Sequence, residues 1–239
     1  MVELELQDGL AVVTIDRPRA RNALDLNTMG ELEKVLDAAE GASALVITGS
    51  GDRAFVSGGD LKELSRLRTE AEASRMALRM RALCDRISVF PGPVVAALNG
   101  HALGGGAEVA VAADIRIAAD DVRIGFNQTT LAIVPAWGGA ERLARLVGPG
   151  RALLLAGSGR VLDCVEAERA GLVDLVLPRA EFDLGWREVA RSLATRQARE
   201  IKHLTTGTRS PREAAAAFAR LWVSEEHWEA AEKVMSRGR

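Results

Sequence analysis

Glu108 closes the run Leu103-Gly104-Gly105-Gly106-Ala107-Glu108, and there the chain first shows residues spaced for chemistry. A glycine-rich turn that opens a helix leaves backbone N–H groups without intrahelical partners, at the end where the dipole favours negative charge. If the helix begins near Gly105, Glu108 follows three residues on, and its carboxylate shares the face of that first turn. The segment then offers a donor for an oxyanion with an acid/base beside it. A second junction, Phe55-Val56-Ser57-Gly58-Gly59-Asp60-Leu61-Lys62, has the same form. Two backbone donors converging at about 2.7–3.1 Å on a developing oxyanion are what enolate or tetrahedral chemistry at a carbonyl requires. Plainer uses of these residues stand beside that one. A glycine turn before a helix also serves as a tight turn or phosphate cradle. Asp60 reads equally as a helix N-cap, Lys62 as a solvated helix residue, and Glu108 as a favourable charge in a first helical turn.

Other chemistries find less support. His101, His203 and His227 are scattered and form no i, i+4 metal pair, so no metal site is expected. There is no Gly-x-Ser-x-Gly elbow to make Ser57 a nucleophile. The glycine run lacks the Lys-Ser/Thr end of a P-loop, and no Gly-x-Gly-x-x-Gly opens a first βαβ unit. Cys84 and Cys164 have no metal or Cys-x-x-Cys spacing and read as buried free thiols in a reducing compartment. A formal net charge of -2 argues against nucleic acid as the main partner. No stretch approaches the about 18 to 20 apolar residues of a membrane span, and Met1 to Leu6 lacks a signal pattern. With 48% hydrophobic and 27% charged residues, these features describe a soluble cytoplasmic protein with a well-buried core.

The elements that must hold these residues can be read in order. Val2 to Leu6 alternates, Asp8-Gly9 signals a turn, and Leu10 to Ile15 resumes an apolar run, predicting a β-hairpin. Thr28 with Glu31 has the form of a capping box before an amphipathic helix. Ala44 to Thr48 and Ala54 to Ser57 read as strands. A helix capped by Asp60, with Glu63 at the reciprocal position, opens a long helical stretch to about Val89, where Pro91-Gly92-Pro93 breaks it. Val94 to Leu98, Ile115 to Ala118 and Val122 to Phe126 are further strands, with Asn99 to His101 a turn. Gly138-Gly139 opens a helix through Leu146. Asp163 and Glu166 cap a short helix ending at Gly171, and Leu172 to Leu177 is a strand. The rest reads as helix, with a cap at Ser210-Pro211-Arg212-Glu213 and one helix running to about Met235. Strands alternating with helices and then helices alone define an α/β core, residues 1–178, with a helical C-terminal region, residues 179–239.

Several of these segments together resemble one family. Ala54 to Leu61, then Pro93 to Gly100, then Ala102 to Glu108 are similar to motifs of the crotonase (enoyl-CoA hydratase/isomerase) superfamily. Arg17-Pro18-Arg19-Ala20-Arg21-Asn22-Ala23-Leu24 looks like its CoA-side motif, and Ile133 to Leu143 like its later Pro-x-x-Gly-Gly segment. The resemblance runs in order from about Leu10 to Pro178. It implies a spiral of ββα units whose C-terminal helices cap the site and build trimers, often paired into hexamers. It implies an acyl-CoA thioester whose carbonyl oxygen lies between the N–H groups of Gly59 and Gly105. It also implies a CoA and thioester path lined by Ala20, Arg21, Ala23, Ser57, Asp60 and Leu61. No cofactor beyond the CoA of the substrate is implied, and no metal.

The resemblance also shows a departure. Family hydratases use two glutamates; one matches Glu108, but the second falls on Gln128. An amide cannot usefully donate a proton to carbon near neutral pH, though it can hold a water or a substrate oxygen. The expected activity is enoyl-CoA hydratase/isomerase-type lyase chemistry of fatty-acid metabolism with one catalytic glutamate. Decarboxylation of a methylmalonyl- or ethylmalonyl-type CoA ester is the alternative, because losing CO₂ yields the same enolate without a second acid. Pro135-Ala136-Trp137-Gly138-Gly139 looks like that decarboxylase branch, with Trp137 as a pocket wall. A non-catalytic acyl-CoA binding protein is the contrasting class.

Overall fold

The computed structural model describes residues 1–237 and falls into two compact units, Met1–Ala194 and a helical remainder from Thr195. The first unit is built on a six-stranded sheet in the order β1 (Val2–Gln7), β2 (Leu10–Ile15), β3 (Ala44–Gly49), β5 (Val94–Leu98), β7 (Ile115–Ala119) and β10 (Leu175–Leu177). A second sheet orders β4 (Ala54–Val56), β6 (His101–Leu103), β8 (Arg123–Gly125) and β9 (Val161–Asp163). Thus β3/β4, β5/β6 and β7/β8 each send one strand to the large sheet and the next to the small one. That repetition is the expected spiral of ββα turns.

The physical basis is plain in the burial. Every residue of β3 and β5 is buried, as strands covered on both faces must be; β5 is a continuous apolar run, and β3 is one as far as Ile47. At the edge, β1 is mostly exposed and pairs antiparallel with β2 across the predicted turn. There Asp8 and Gly9 both have positive φ (52° and 77°), as a two-residue hairpin of matching twist demands. Helices α1 (Leu26–Ala38) and α3 (Glu70–Ser88) contribute Met29, Leu32, Leu36, Met80, Leu83 and Ile87 to the core.

Several boundaries differ from the sequence reading, each for a capping reason. Helix α1 is capped by Asp25, whose side chain accepts from Thr28 N–H at 2.7 Å; Thr28 is inside the helix rather than its cap. The stretch after Asp60 is two helices. The short α2 (Leu61–Leu64) ends before Thr69, which forms its own capping box with Glu72 and starts α3. His101 lies on strand β6 rather than in a turn, and β9 is a strand that the sequence reading lacks. Helix α8 (Phe182–Leu193) belongs with the first unit, beyond the expected boundary at 178, because Phe182, Trp186 and Ala190 enter the main core.

In the second unit, α9 (Arg196–Thr205) is followed by α10 (Pro211–Trp222), which carries the expected capping box at Ser210 and Glu213. The single helix expected to about Met235 is broken instead. Ser224 accepts from His227 N–H at 3.3 Å and starts α11 (Glu225–Arg237). Among the described residues no helix is long and apolar enough to cross a membrane.

Candidate active site

The glycine-rich junctions meet. Gly58 adopts φ +99°, and a β-carbon there would lie 3.3 Å from the nitrogen of Gly105. The loop carrying Arg21 to Leu24 is tied to the first junction by main-chain bonds: Ser57 N–H to Arg21 O (3.2 Å), Leu24 N–H to Gly58 O (2.8 Å), and Asp60 N–H to Leu24 O (2.9 Å). Neither Gly59 N–H nor Gly105 N–H donates a hydrogen bond among the described residues, Gly105 being the first residue of α4 (Gly105–Ala110).

Two buried asparagines hold this arrangement. Asn22, itself at φ +56°, donates to Ser50 O and Ala54 O, and its carbonyl accepts from Arg17 N–H at 2.9 Å. Asn99 donates to Gly51 O and Ala54 O and accepts from Gly49 N–H. Both therefore grip the connection between β3 and β4, from which the Ser57–Gly59 turn hangs.

Glu108 is 2% exposed. Its Oε1 accepts from Gln128 Nε2 at 3.0 Å; its Oε2 accepts from Trp137 N–H at 2.8 Å and Gly139 N–H at 2.9 Å. Burial pushes this carboxyl above its ordinary ionisation range, and the three hydrogen bonds to the anion oppose that push. Gln128 sits in a 3-10 turn, Asn127–Leu131, and its Oε1 is buried with no hydrogen-bond partner among the described residues. A buried unpaired acceptor costs about 1–3 kcal/mol unless a water or ligand donor meets it.

Glycines make the close packing possible. A β-carbon on Gly106 would lie 1.7 Å from Val56 O, so α4 can rest on β4 only with glycine there. The indole of Trp137 packs on Gly105, where a β-carbon would be 2.1 Å from Cζ3, and it also reaches the space beside Gly59.

The predicted residues divide in two. Of them, Arg21 and Ser57 line one cleft of about 470 Å³ with Arg53, His101, Leu103 and Asp121. Ala20 and Ala23 flank Arg21 on the loop joined to Ser57 and Gly58, and Leu61 is exposed at the start of α2. Asp60 is engaged structurally: it caps α2 and accepts from Arg17 Nη2 at 3.0 Å, an arginine that also pairs with Asp25 at 2.9 Å. His101 accepts from Arg123 N–H through Nδ1. Cys84 and Cys164 are buried free thiols, and burial pushes Cys84 up to about 12. The sequence reading missed the Trp137 and Gly139 amides that bind Glu108. Their signal in the sequence is the Gly138-Gly139 pair, which reads as a helix start and as part of the Pro-x-x-Gly-Gly segment without revealing the two amides.

Comparison with known proteins agrees with this architecture. Residues 5–230 match the enoyl-CoA hydratase/isomerase family. The short-chain-enoyl-CoA hydratase of Clostridium acetobutylicum is 38% identical over 197 residues, 81% of this chain and 75% of that protein. The crotonyl-CoA hydratase of Syntrophomonas wolfei is 41% identical over 182 residues, 75% of this chain and 70% of its own length. The crystal structure of an enoyl-CoA hydratase from Bacillus anthracis has a TM-score of 0.89 at 30% identity, covering 99% of this chain and 96% of that one. The chain belongs to the enoyl-CoA hydratase/isomerase family, and it is an acyl-CoA enzyme of the hydratase type.

Proposed function

We propose that this enzyme stabilises the enolate of an acyl-CoA thioester between the N–H groups of Gly59 and Gly105, with Glu108 as its one proton-handling carboxylate. The observation that carries the reading is the Glu108–Gln128 pair, a carboxylate and an amide 3.0 Å apart, together with two main-chain donors that have no acceptor among the described residues. In hydration Glu108 takes a proton from water as it adds to the enoyl β-carbon. The electron pair moves onto the thioester oxygen, and the proton returns to the α-carbon. Gln128 Oε1, which has no donor, is suited to accept from that water. Arg21 and Ser57 lie along the path of the CoA, and Trp137 walls the acyl end.

A second reaction has one specific observation in its favour. The amide at 128 leaves the site without a second acid, and loss of CO₂ from a malonyl-type thioester forms the enolate without one. Incubation with enoyl-, hydroxyacyl- and alkylmalonyl-CoA esters, followed by product mass, separates the two. Gain of water supports hydration, loss of CO₂ supports decarboxylation, and no product from any ester ends both readings. The proposal extends to a homotrimer or a pair of trimers acting in the cytoplasm, using no cofactor beyond the CoA of its substrate. Sedimentation of the purified protein tests the assembly.

A further inference from the structure

Arg142 lies on the opposite side of the Trp137–Gly139 turn from Glu108. It is 8% exposed, in the first turn of α5 (Gly139–Val147). Its Nη1 donates to Trp137 O at 3.1 Å, its Nε to Ser88 Oγ at 3.2 Å, and its Nη2 to Asp85. Ser88 in turn donates to Ala112 O at 3.1 Å, just past α4, the helix that carries Glu108. Gly138 takes φ +85°, and a β-carbon there would lie 2.5 Å from Arg142 Nη1. The guanidinium thus fills the underside of the turn. The peptide units around Gly138 are held from both faces: the Trp137 carbonyl toward Arg142, the Trp137 and Gly139 amides toward Glu108 Oε2.

We infer that Arg142, anchored on α3 through Asp85 and Ser88, is a positioning residue that sets the ionisation and orientation of Glu108 through the backbone of residues 137–139. Nothing in the arrangement requires direct contact between the two side chains. Arg81 and Cys84 on α3 interact electrostatically with Glu108, and Asp85 on α3 and Glu141 on α5 interact with Arg81 in turn. Each is occupied. Arg81 pairs with Glu141 at 2.6 Å, Asp85 binds Arg142, and Cys84 is held protonated by burial. The two amides aimed by the turn supply two of the three hydrogen bonds to the Glu108 anion, the third coming from Gln128 Nε2.

The inference rests on Glu108 being the proton-handling group, so the test reads that carboxyl directly as well as through turnover. Arg142→Met is expected to leave KM within about twofold, lower kcat by tenfold to about 10²-fold, and move the acid limb of kcat upward. Difference infrared titration, with the Glu108 band assigned by its loss in Glu108→Gln, should show the carboxyl holding its proton to higher pH. Arg142→Lys, which keeps a donor and the charge, should restore part of both changes. If Arg142→Met does not fold, Ser88→Ala and Asp85→Asn replace it, with smaller shifts in the same direction. A folded variant whose Glu108 band titrates as in the parent overturns the inference, whatever its activity. A shifted band in a protein that turns over no thioester would retain the inference and sink the proposed reaction instead.

Discussion

Gly139 approaches Glu108 so closely that a β-carbon on it would lie 2.3 Å from Cγ and 2.8 Å from Oε2 of the carboxylate. The same residue donates its N–H to that oxygen. Gly139→Ala must therefore displace the glutamate or the turn. We expect a folded protein destabilised by about 1–3 kcal/mol, with kcat lowered up to about 10²-fold. Urea unfolding and steady-state turnover measure the two effects. Unchanged turnover in Gly139→Ala would mean that the observed position of Glu108 is not the working one.

Glu108→Gln should remove about 10²–10⁴-fold of whichever turnover the substrate panel reveals. In the parent, burial raises this carboxyl above the ordinary carboxylate range. A base must be ionised, so activity should fall on acidification with a limb above that range. The folded state holds the proton to higher pH than the unfolded chain does. This group's contribution to stability therefore declines as pH rises from the unfolded ionisation value through the raised folded one. A pH–rate profile and urea midpoints across that window check both signs.

Gln128→Glu places a second carboxyl within hydrogen-bond reach of Glu108, where the amide now stands 3.0 Å away. Two carboxyls so close share a proton, which raises one ionisation value and creates the acid that hydration needs. Crotonyl-CoA hydration should rise, by up to about 10²-fold. A fall in hydration accompanied by loss of CO₂ release would assign Gln128 to the decarboxylation route.

Trp137 stacks on Gly105 and reaches toward Gly59, so its size sets the space beside the two free amides. Trp137→Phe should relax selectivity toward longer acyl chains with modest loss of stability. Trp137→Ala should cost about 3–5 kcal/mol through the cavity it leaves. The ratio of kcat/KM for C4 and C8 enoyl-CoA esters is the measurement, and an unchanged ratio in Trp137→Phe would remove Trp137 from the acyl wall.

Asn99→Ala removes the partner of Gly51 O and of Gly49 N–H at the β3–β4 connection, while Ala54 O keeps Asn22 and the Thr48 hydroxyl keeps Ala97 O. Stability should fall by about 1–3 kcal/mol per buried group left unsatisfied, softened where water enters. Turnover should fall with it, because the Ser57–Gly59 turn hangs from that connection. Chemical unfolding beside activity at a temperature where the variant stays folded would distinguish the two losses.

The sequence by itself determined the periodic and local features. Buried strands such as β3 and β5 announce themselves as apolar runs of four or five residues, the Asp8-Gly9 hairpin by its turn residues, and α7 (Cys164–Ala170) and α10 by their capping boxes. Glu108 and both glycine junctions were legible for the same reason: they depend on spacing within a few residues. Tertiary structure alone decided what distant segments do to one another. Gly139 and Trp137 reach Glu108 from about thirty residues away, and Arg142 is held by α3 across more than fifty. Asp25 displaced Thr28 as a cap, and Thr69 divided one expected helix into two, because competing caps a few residues apart look alike in one dimension. A hydrogen bond between remote segments leaves no period in the chain, only a glycine where another atom needs the room.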